Sequence, residues 1–372
     1  MPASAKIEYR TGMRALRIYA GPTARQHIAD KGLLPQHISV IPGAAGGPKG
    51  LILGPIDRFL FGHWLSRSDQ PIDLVGASIG AWRMATACLA QPEKELLALE
   101  EAYIHQHYEL APGQHRPTAH QVSTDFAANL QRFYSGRIHP VIHHPRYRLH
   151  VMTSRGLGLL SQDNAWRTPL GYACAYLSNF ISRPAMGRWL ERVVFSSPFM
   201  GQPHPLPFAT QDYPSRHLAL SEDNFLDAVQ ASCSIPFVLN AVKAIDGAPA
   251  GAYWDGGITD YHLHLDYRPA KGLTLYPHFQ KAVVPGWLDK KLTSRHHATT
   301  FLDSTLLLAP DPEWVRSLPN GKLPDRSDFT TYGQDLASRV KVWKQAVGES
   351  ERLADEFSQW LLQPDFGKVE AL

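Results

Sequence analysis

Short apolar runs alternate with segments of helical apolar spacing in the first part of the chain. The apolar run at residues 38–41 leads into a glycine-rich stretch at 43–50, and apolar residues at helical spacing follow over 51–65. The same order recurs further on, where residues 72–75 predict a strand and residues 79–90 predict a helix. Strands that alternate with helices in this way are typical of parallel sheets covered on both faces. The pattern therefore predicts an α/β fold, a three-layer sandwich with a mainly parallel central sheet.

The remainder of the chain continues this alternation with one less regular part. Further strands are predicted in the segments "YRLHVMTSRG", "AGAYWD", "GLTLYPHF" and "STLLLAP". Further helices are predicted from residue 93, near 123–133, in the segment that ends at about Cys233, and in the amphipathic tail. Residues 160–217 are rich in Pro, Ser, Asn and aromatic residues, and we interpret them as an insertion or lid. We expect a single domain over residues 1–372, with a helical or irregular insertion at about 105–220 and a C-terminal helical extension at about 331–362.

Composition narrows the class of protein. The chain has 372 residues, of which 44% are hydrophobic and 19% charged, so it can bury a large core. The 37 basic residues exceed the 34 acidic ones by only three, which gives no electrostatic argument for a nucleic-acid partner. Three widely separated cysteines argue against a disulfide framework and favour a reducing compartment, so we expect a cytoplasmic protein.

No segment predicts a signal peptide or a transmembrane helix, so we expect a soluble chain whose contact with membranes, if any, is peripheral. The segment "RIHPVIHHPRYRLH" at 137–150 is interpreted as a basic surface loop that could touch anionic headgroups, with a metal site as the alternative. In the tail, Trp343 and Trp360 predict core packing, with adsorption at a membrane interface as the alternative. The sequence gives no indication of the oligomeric state.

A serine lies between two glycines at the junction of the predicted strand 72–75 and the predicted helix 79–90. In the pentapeptide Gly-Ala-Ser-Ile-Gly, Ser78 is the candidate nucleophile, because a tight strand-to-helix turn exposes its hydroxyl. Such a turn crowds the positions two before and two after the serine, which explains Gly76 and Gly80. The alternative is a turn of small residues that only allows the helix to pack closely on the sheet.

The glycine-rich stretch "GAAGGPKG" supplies candidate donors for an oxyanion. Backbone N–H groups of Gly46, Gly47 and Lys49 are the expected oxyanion-hole donors, since an oxyanion needs at least two. A phosphate-binding loop is the alternative, but Gly50 stands where such a loop has its Ser or Thr.

Two kinds of group could accept the proton of Ser78. An α/β-hydrolase places an acid and then a histidine after the serine, and the histidines that follow a plausible acid are His262, His264, His278, His296 and His297. Asp255 is better marked, because it ends a predicted strand and precedes Gly256 and Gly257, which allow close backbone approach. An ordinary turn aspartate is the alternative interpretation of this residue.

Together these motifs resemble those of the patatin-like phospholipases, a family of lipid acyl hydrolases. The matching segments, in the order in which the family has them, are Gly46-Gly47-Pro48-Lys49-Gly50, Gly76-Ala77-Ser78-Ile79-Gly80, "ASCSIPFVL" at 231–239 and Asp255-Gly256-Gly257. The resemblance implies a Ser78–Asp255 catalytic dyad that cleaves carboxylic esters through an acyl-enzyme, without a histidine, a metal or another cofactor. Ala45 and Pro48 depart from the family's loop, and proline has no N–H to donate.

Three functions therefore stand as hypotheses. The first is a serine acyl hydrolase of lipids or other esters, similar to phospholipase A or lysophospholipase and acting in lipid degradation. The second is an α/β-hydrolase-type esterase or polyester depolymerase with a Ser-Asp-His triad. The third is a non-catalytic binding protein that retains the fold.

Overall fold

The computed structural model describes residues 12–110, 112–114 and 116–372. Its strands are β1 Leu16–Ala20, β2 Ile38–Gly43, β3 Ile72–Ala77, β4 Tyr147–Gly156, β5 Leu190–Ser196, β6 Pro198–Phe199, β7 Gln202–Pro203, β8 Ser215–Ala219, β9 Val242–Lys243, β10 Ala252–Asp255, β11 Leu273–Pro277, β12 Thr305–Pro310 and β13 Val369–Ala371. Its α-helices are α1 Pro22–Lys31, α2 Gly54–Phe59, α3 Ile79–Ala87, α4 Pro92–Ile104, α5 Ala119–Tyr134, α6 Ile138–Ile142, α7 Arg167–Ile181, α8 Arg183–Met186, α9 Phe225–Cys233, α10 Pro312–Ser317, α11 Ser327–Tyr332 and α12 Leu336–Leu362.

Within these described residues, eleven strands form one mixed, mostly parallel sheet, which confirms the predicted fold class. Its order is β13-β1-β12-β11-β2-β3-β4-β10-β9, with β5 beside β4 and β8 beside β5. The central strands β12, β11, β2, β3 and β4 run parallel, and antiparallel pairs lie on both sides of them. Helices cover the sheet, so the side chains of β2, β11 and β12 are all buried, as expected for central parallel strands.

Strand β4 places two distant parts of the chain end to end. One edge of β4 pairs with β3 as far as Ala77–Met152, and the same edge then pairs with β10, beginning at Asp255–Thr153. Strand β10 is antiparallel to β4, so its last residue points toward the last residue of β3. The other edge of β4 is occupied by β5. The chain segments that follow β3 and β10 therefore meet above Met152 and Thr153.

Several predicted elements have different bounds in the structure. The helix predicted over 51–65 is instead a 3₁₀ helix Gly47–Leu53, the helix α2, a π turn Leu60–Trp64 and a 3₁₀ turn. Pro55 is the reason for the break, since it has no N–H and occupies the first turn of a new helix.

Helix bounds differ at two further places. The helix predicted over 79–90 ends at Ala87. The helix predicted near 123–133 begins earlier, because the Thr118 hydroxyl caps it by accepting a hydrogen bond from the Gln121 N–H.

The span 160–217 is more regular than its composition suggests. It contains helix α7 and the sheet strands β5 and β8, so part of it belongs to the central sheet. The apolar side chains of β5 are fully buried, and its pairing with β4 is a long-range contact that local composition does not reveal. The Trp343 and Trp360 side chains in α12 are buried, in agreement with core packing. No helix among the described residues combines the length and the apolar character needed to span a bilayer.

Candidate active site

Ser78 lies in a sharp turn between β3 and α3. Its backbone has φ 56° and ψ −130°, a conformation that side-chain-bearing residues rarely adopt. A Cβ on Gly76 would lie 2.4 Å from the Ala81 Cα, and one on Gly80 would lie 1.8 Å from the carbonyl oxygen of Gly43. Glycine is therefore required at both positions for the turn to form, as the sequence predicts.

The Ser78 hydroxyl contacts Asp255 directly. Its Oγ donates a hydrogen bond of 2.6 Å to Asp255 Oδ2, and both side chains are buried. The second carboxylate oxygen of Asp255 accepts the N–H of Gly257 at 2.7 Å. Both oxygens of this carboxylate are thus held in place, one by the serine and one by the backbone.

The backbone around Asp255 is fixed by the neighbouring strand and loop. The Asp255 N–H donates to the Ser234 carbonyl at 2.9 Å, and the Asp255 carbonyl accepts from the Ser154 hydroxyl at 2.9 Å. A Cβ on Gly256 would lie 2.1 Å from the Met152 carbonyl oxygen. Glycine at 256 therefore lets the turn after β10 lie directly on β4, at the level of Ser78.

Ser232 in α9 links strand β4 to the serine turn. Its hydroxyl accepts the N–H of Ser78 at 2.9 Å and donates to the Met152 carbonyl at 2.6 Å. This hydroxyl satisfies the buried N–H of the strained residue, so it supports the turn. The sequence identified the segment 231–239 by resemblance but assigned no role to Ser232.

The burial of Asp255 affects its protonation. Burial raises the pKa of the Asp255 carboxyl, while the hydrogen bond from Ser78 and the positive charge of Arg326 act in the opposite direction. A carboxylate with a raised pKa is a stronger base than an exposed one. The arrangement is suited to accept a proton from a hydroxyl.

The glycine-rich loop follows β2 and reaches the same place. Gly47 has φ +58°, which favours glycine, and it lines one cavity together with Ser78. Gly46 packs against the ring of Phe279, where a Cβ would lie 2.5 Å from a ring carbon. The ammonium of Lys49 lies 5.5 Å from the centre of the same ring, and burial lowers the pKa of this lysine.

The histidines that could complete a triad contact other groups. His262 Nδ1 accepts the N–H of Val284 at 3.0 Å, and burial lowers its pKa well below the ordinary value, so the ring is neutral. None of the remaining four is among the residues that line the cavity at Ser78. Three of them have hydrogen-bond partners elsewhere: His264 Nε2 is 3.0 Å from Thr299 Oγ1, His278 contacts the Gln280 carbonyl, and His296 Nε2 is 2.9 Å from the Asp289 carbonyl. The fourth, His297, is exposed.

A cavity of about 670 Å³ opens at Ser78. Most of its lining is apolar or aromatic, from α3, α4, α5, α9 and α11 and the segments that follow them: Ile79, Trp82, Tyr103, Tyr108, Leu110, Val122, Phe126, Cys233, Ile235, Val238, Leu239 and Phe329. The charged residues of the described lining are Arg116, Arg326 and Arg339, and no carboxylate is among them. No pattern in the sequence marks these arginines, because they come from segments far from Ser78 along the chain.

A second cluster of polar side chains lies at the opposite end of β3. Ligand atoms of Asp73, His150 and His204 all lie within 4.8 Å of one another, so this set could hold a metal ion. However, His150 already has partners at both ring nitrogens, Ser196 Oγ at 2.7 Å and Asp73 Oδ1 at 3.1 Å. Of the histidines in 137–150 that the sequence singled out, His139 and His143 lie at a short helix, α6, rather than in a loop.

Comparison with protein families gives one match. The model of the family described as patatin-like phospholipase matches residues 65–262, which is more than half of the chain and includes both Ser78 and Asp255. The matched region begins after the glycine-rich loop and ends before Arg326 and Arg339. No curated protein matches the chain.

Proposed function

Because the chain belongs to the patatin-like phospholipase family, we propose that it is a lipid acyl hydrolase that uses Ser78 as nucleophile and Asp255 as general base. One observation carries this proposal: the Ser78 hydroxyl donates to the Asp255 carboxylate at 2.6 Å, although the two residues are 177 positions apart. Family membership supports hydrolysis of lipid esters in general. The dyad is our inference from this hydrogen bond and from the resemblance of the motifs, and the donors and the substrate class are our inference from the glycine-rich loop and the lining of the cavity.

In the first half of the reaction, the Ser78 oxygen attacks the carbonyl carbon of the ester, and Asp255 Oδ2 accepts the hydroxyl proton. The carbonyl oxygen becomes an oxyanion, and we assign its stabilisation to the backbone N–H groups of Gly46, Gly47 and Lys49. The intermediate collapses, the bond to the alcohol breaks, and the alcohol leaves with the proton from Asp255. The acyl group remains bound to the Ser78 oxygen.

In the second half, water takes the place of the alcohol. The water oxygen attacks the acyl carbon while Asp255 accepts a proton from that water, and the same backbone N–H groups stabilise the oxyanion. Collapse releases the carboxylic acid, and the Ser78 oxygen recovers its proton from Asp255. The hydrogen bond from Gly257 to Asp255 keeps the carboxylate oriented through both halves.

The cavity supports a substrate with a long apolar part and a negative charge. Its lining is mostly apolar, whereas its three arginines have no carboxylate among the described lining residues. Arg339 is buried, its Nη2 donates to the Gln106 carbonyl, and its guanidinium lies over the rings of Phe329 and Trp343. Its Nε has no hydrogen-bond partner among the described residues, and buried polar groups are normally hydrogen-bonded, so we assign this donor to an anionic group of the ligand. We infer an amphiphilic ester with an anionic group, such as a phosphate or a carboxylate.

Hydrolysis of p-nitrophenyl esters of increasing chain length tests the proposed activity. We expect kcat/KM to rise with chain length, because the cavity buries apolar chains. Separate substitutions of His262, His264, His278, His296 and His297 by Gln should each leave at least about a third of the activity, since none is in the dyad. Loss of activity at one of these histidines, in a variant with an unchanged melting temperature, would establish a triad instead. No turnover of any ester would refute the proposed function.

A further inference from the structure

Helix α7 exposes an unusual number of large apolar side chains. The described residues expose thirteen such side chains, and five of them belong to this helix or its N-cap, each between 48% and 81% exposed: Trp166, Leu170, Leu177, Phe180 and Ile181. With about 3.6 residues per turn, these five fall within an arc of roughly 100° on the helix surface. They form one continuous stripe rather than scattered contacts. We call them the α7 stripe.

The α7 stripe is connected to the wall of the cavity at Ser78. Tyr172, on the adjacent side of α7, packs its ring against that of Phe237, with the ring centres 5.8 Å apart. Phe237 is itself exposed, and its φ of 67° is a strained value for an aromatic residue. The next residue, Val238, is partly exposed and lines the cavity. Apolar side chains thus connect α7 with the wall of the cavity at Ser78.

The charges around the α7 stripe are basic. Residues 164–190 contain three arginines and no acidic residue, and residues 290–302 contain three basic residues, two histidines and no acidic residue. The two segments touch, because Arg295 donates to the carbonyl of Asn179 at 2.9 Å and to that of Phe180 at 3.4 Å. Two of these arginines are already paired, Arg183 with Asp289 and Asp260 and Arg295 with Asp289, whereas Arg188 is exposed.

We propose that the α7 stripe, with Phe237, is a docking surface for the interface of an anionic lipid bilayer. An exposed apolar stripe with an aromatic residue at its end and basic flanks matches the chemistry of that interface, where acyl chains meet negative headgroups. Docking by this surface places the cavity mouth against the bilayer, so a lipid can enter without crossing water. This inference rests on the proposed lipid ester substrate, but it concerns a surface outside the catalytic residues.

Cosedimentation with vesicles tests this surface, and the Ser78→Ala background prevents hydrolysis during the assay. We expect binding to vesicles of phosphatidylcholine mixed with phosphatidylglycerol, and weaker binding to vesicles of phosphatidylcholine alone. The double substitution Phe180→Ser with Ile181→Ser should weaken binding at least about tenfold, because it removes two exposed apolar side chains. The matched control is Leu362→Ser, an equally exposed residue at the end of α12, which should leave binding unchanged.

Three results would overturn the proposal. The first is equal binding of the double variant and the parent protein, and the second is no binding of the parent to anionic vesicles. The third is a dimer in solution that the double variant converts to a monomer, because the stripe would then bind a second copy of the chain. The same double substitution is also made in the parent protein, in which Ser78 is intact. Its hydrolysis of a soluble short-chain ester is measured separately and should equal that of the parent protein. Loss of vesicle binding and loss of catalysis are therefore distinguishable.

Discussion

A carboxylate hydrogen-bonded to a neighbouring side chain lies near each end of strand β3, yet the two settings differ. At the carboxyl end, Ser78 in a strained turn donates to Asp255, and Ser78 lines a large cavity. At the other end, Asp73 lies 3.1 Å from His150, whose second nitrogen contacts Ser196. Neither Asp73 nor His150 is among the residues that line this cavity.

The difference shows what turns a polar cluster into a candidate site. The Asp73 cluster extends to His217, whose Nε2 lies 2.8 Å from Ser196 Oγ, so its members satisfy one another. At the carboxyl end, the hydroxyl is held by a single acceptor beside an open cavity, and backbone strain fixes its direction. Three features distinguish the Ser78–Asp255 pair from the Asp73 cluster: its position at the carboxyl end of a parallel strand, the strained backbone of Ser78, and the cavity that gives a ligand access to it. The types of residue present do not distinguish the two clusters. About 16 Å of strand separates them.

The largest expected effect is on kcat, and it distinguishes the Ser78 end of strand β3 from the Asp73 end. Ser78→Ala should lower kcat at least about a thousandfold, because the nucleophile is lost. Asp73→Asn keeps the shape and one acceptor, and it should stay within about threefold of the parent protein. Ester hydrolysis is measured for both variants, with melting temperatures as the control for folding. A well-folded Asp73→Asn protein that is as inactive as Ser78→Ala would break the comparison.

A second prediction concerns pH. The proton acceptor must be ionised, so kcat/KM should fall about tenfold per pH unit once the pH drops below the pKa of Asp255. Burial raises the pKa of this carboxyl, so the fall should begin at a higher pH than for an exposed aspartate. Asp73→Asn should leave the profile in place. A profile that stays flat down to the ordinary titration range of aspartate would contradict the assignment of Asp255 as the base.

The smallest of the three effects concerns recognition. Arg326→Ala should lower kcat/KM about tenfold for an ester with an anionic group, because a charge-assisted hydrogen bond is lost. Esters without a charge should be hydrolysed as before. The control at the other end of β3 is His204→Gln, which should affect neither substrate. Equal losses for charged and neutral esters would show that Arg326 supports the cavity rather than binding an anion.

Much of the fold could be predicted because the local signals are strong. The apolar run that ends at Val75 and the glycines on either side of Ser78 predict strand, turn and helix without knowledge of the rest of the chain. The helix predicted over 51–65 is broken at Pro55, which is a local cause. The prediction missed this break because the helical spacing of apolar residues continues across Pro55. Strand β5 was not predicted, because it lies in a segment rich in proline and serine that we interpreted as an insertion or lid. Its place in the sheet depends on pairing with β4, which is distant along the chain.

The candidate site was predictable only in part, for a related reason. Ser78 and Asp255 each lie in a marked turn, but their meeting depends on β3 and β10 sharing one edge of β4. The roles of Ser232, Arg326 and Arg339 depend entirely on tertiary contacts, since no local sequence pattern shows which hydroxyl is buried or which guanidinium lines a cavity. The α7 stripe could not be predicted from the sequence either, because only the structure shows which apolar side chains of α7 are exposed and which are buried.

Covalent labelling with a fluorophosphonate ester, followed by peptide mass spectrometry, tests the central claim most directly. The dyad predicts one adduct per chain on the Ser78 oxygen, no adduct in Ser78→Ala, and much slower labelling in Asp255→Asn because the proton acceptor is lost. An unlabelled parent protein that is correctly folded, or an adduct on another serine such as Ser232 or Ser154, would contradict it.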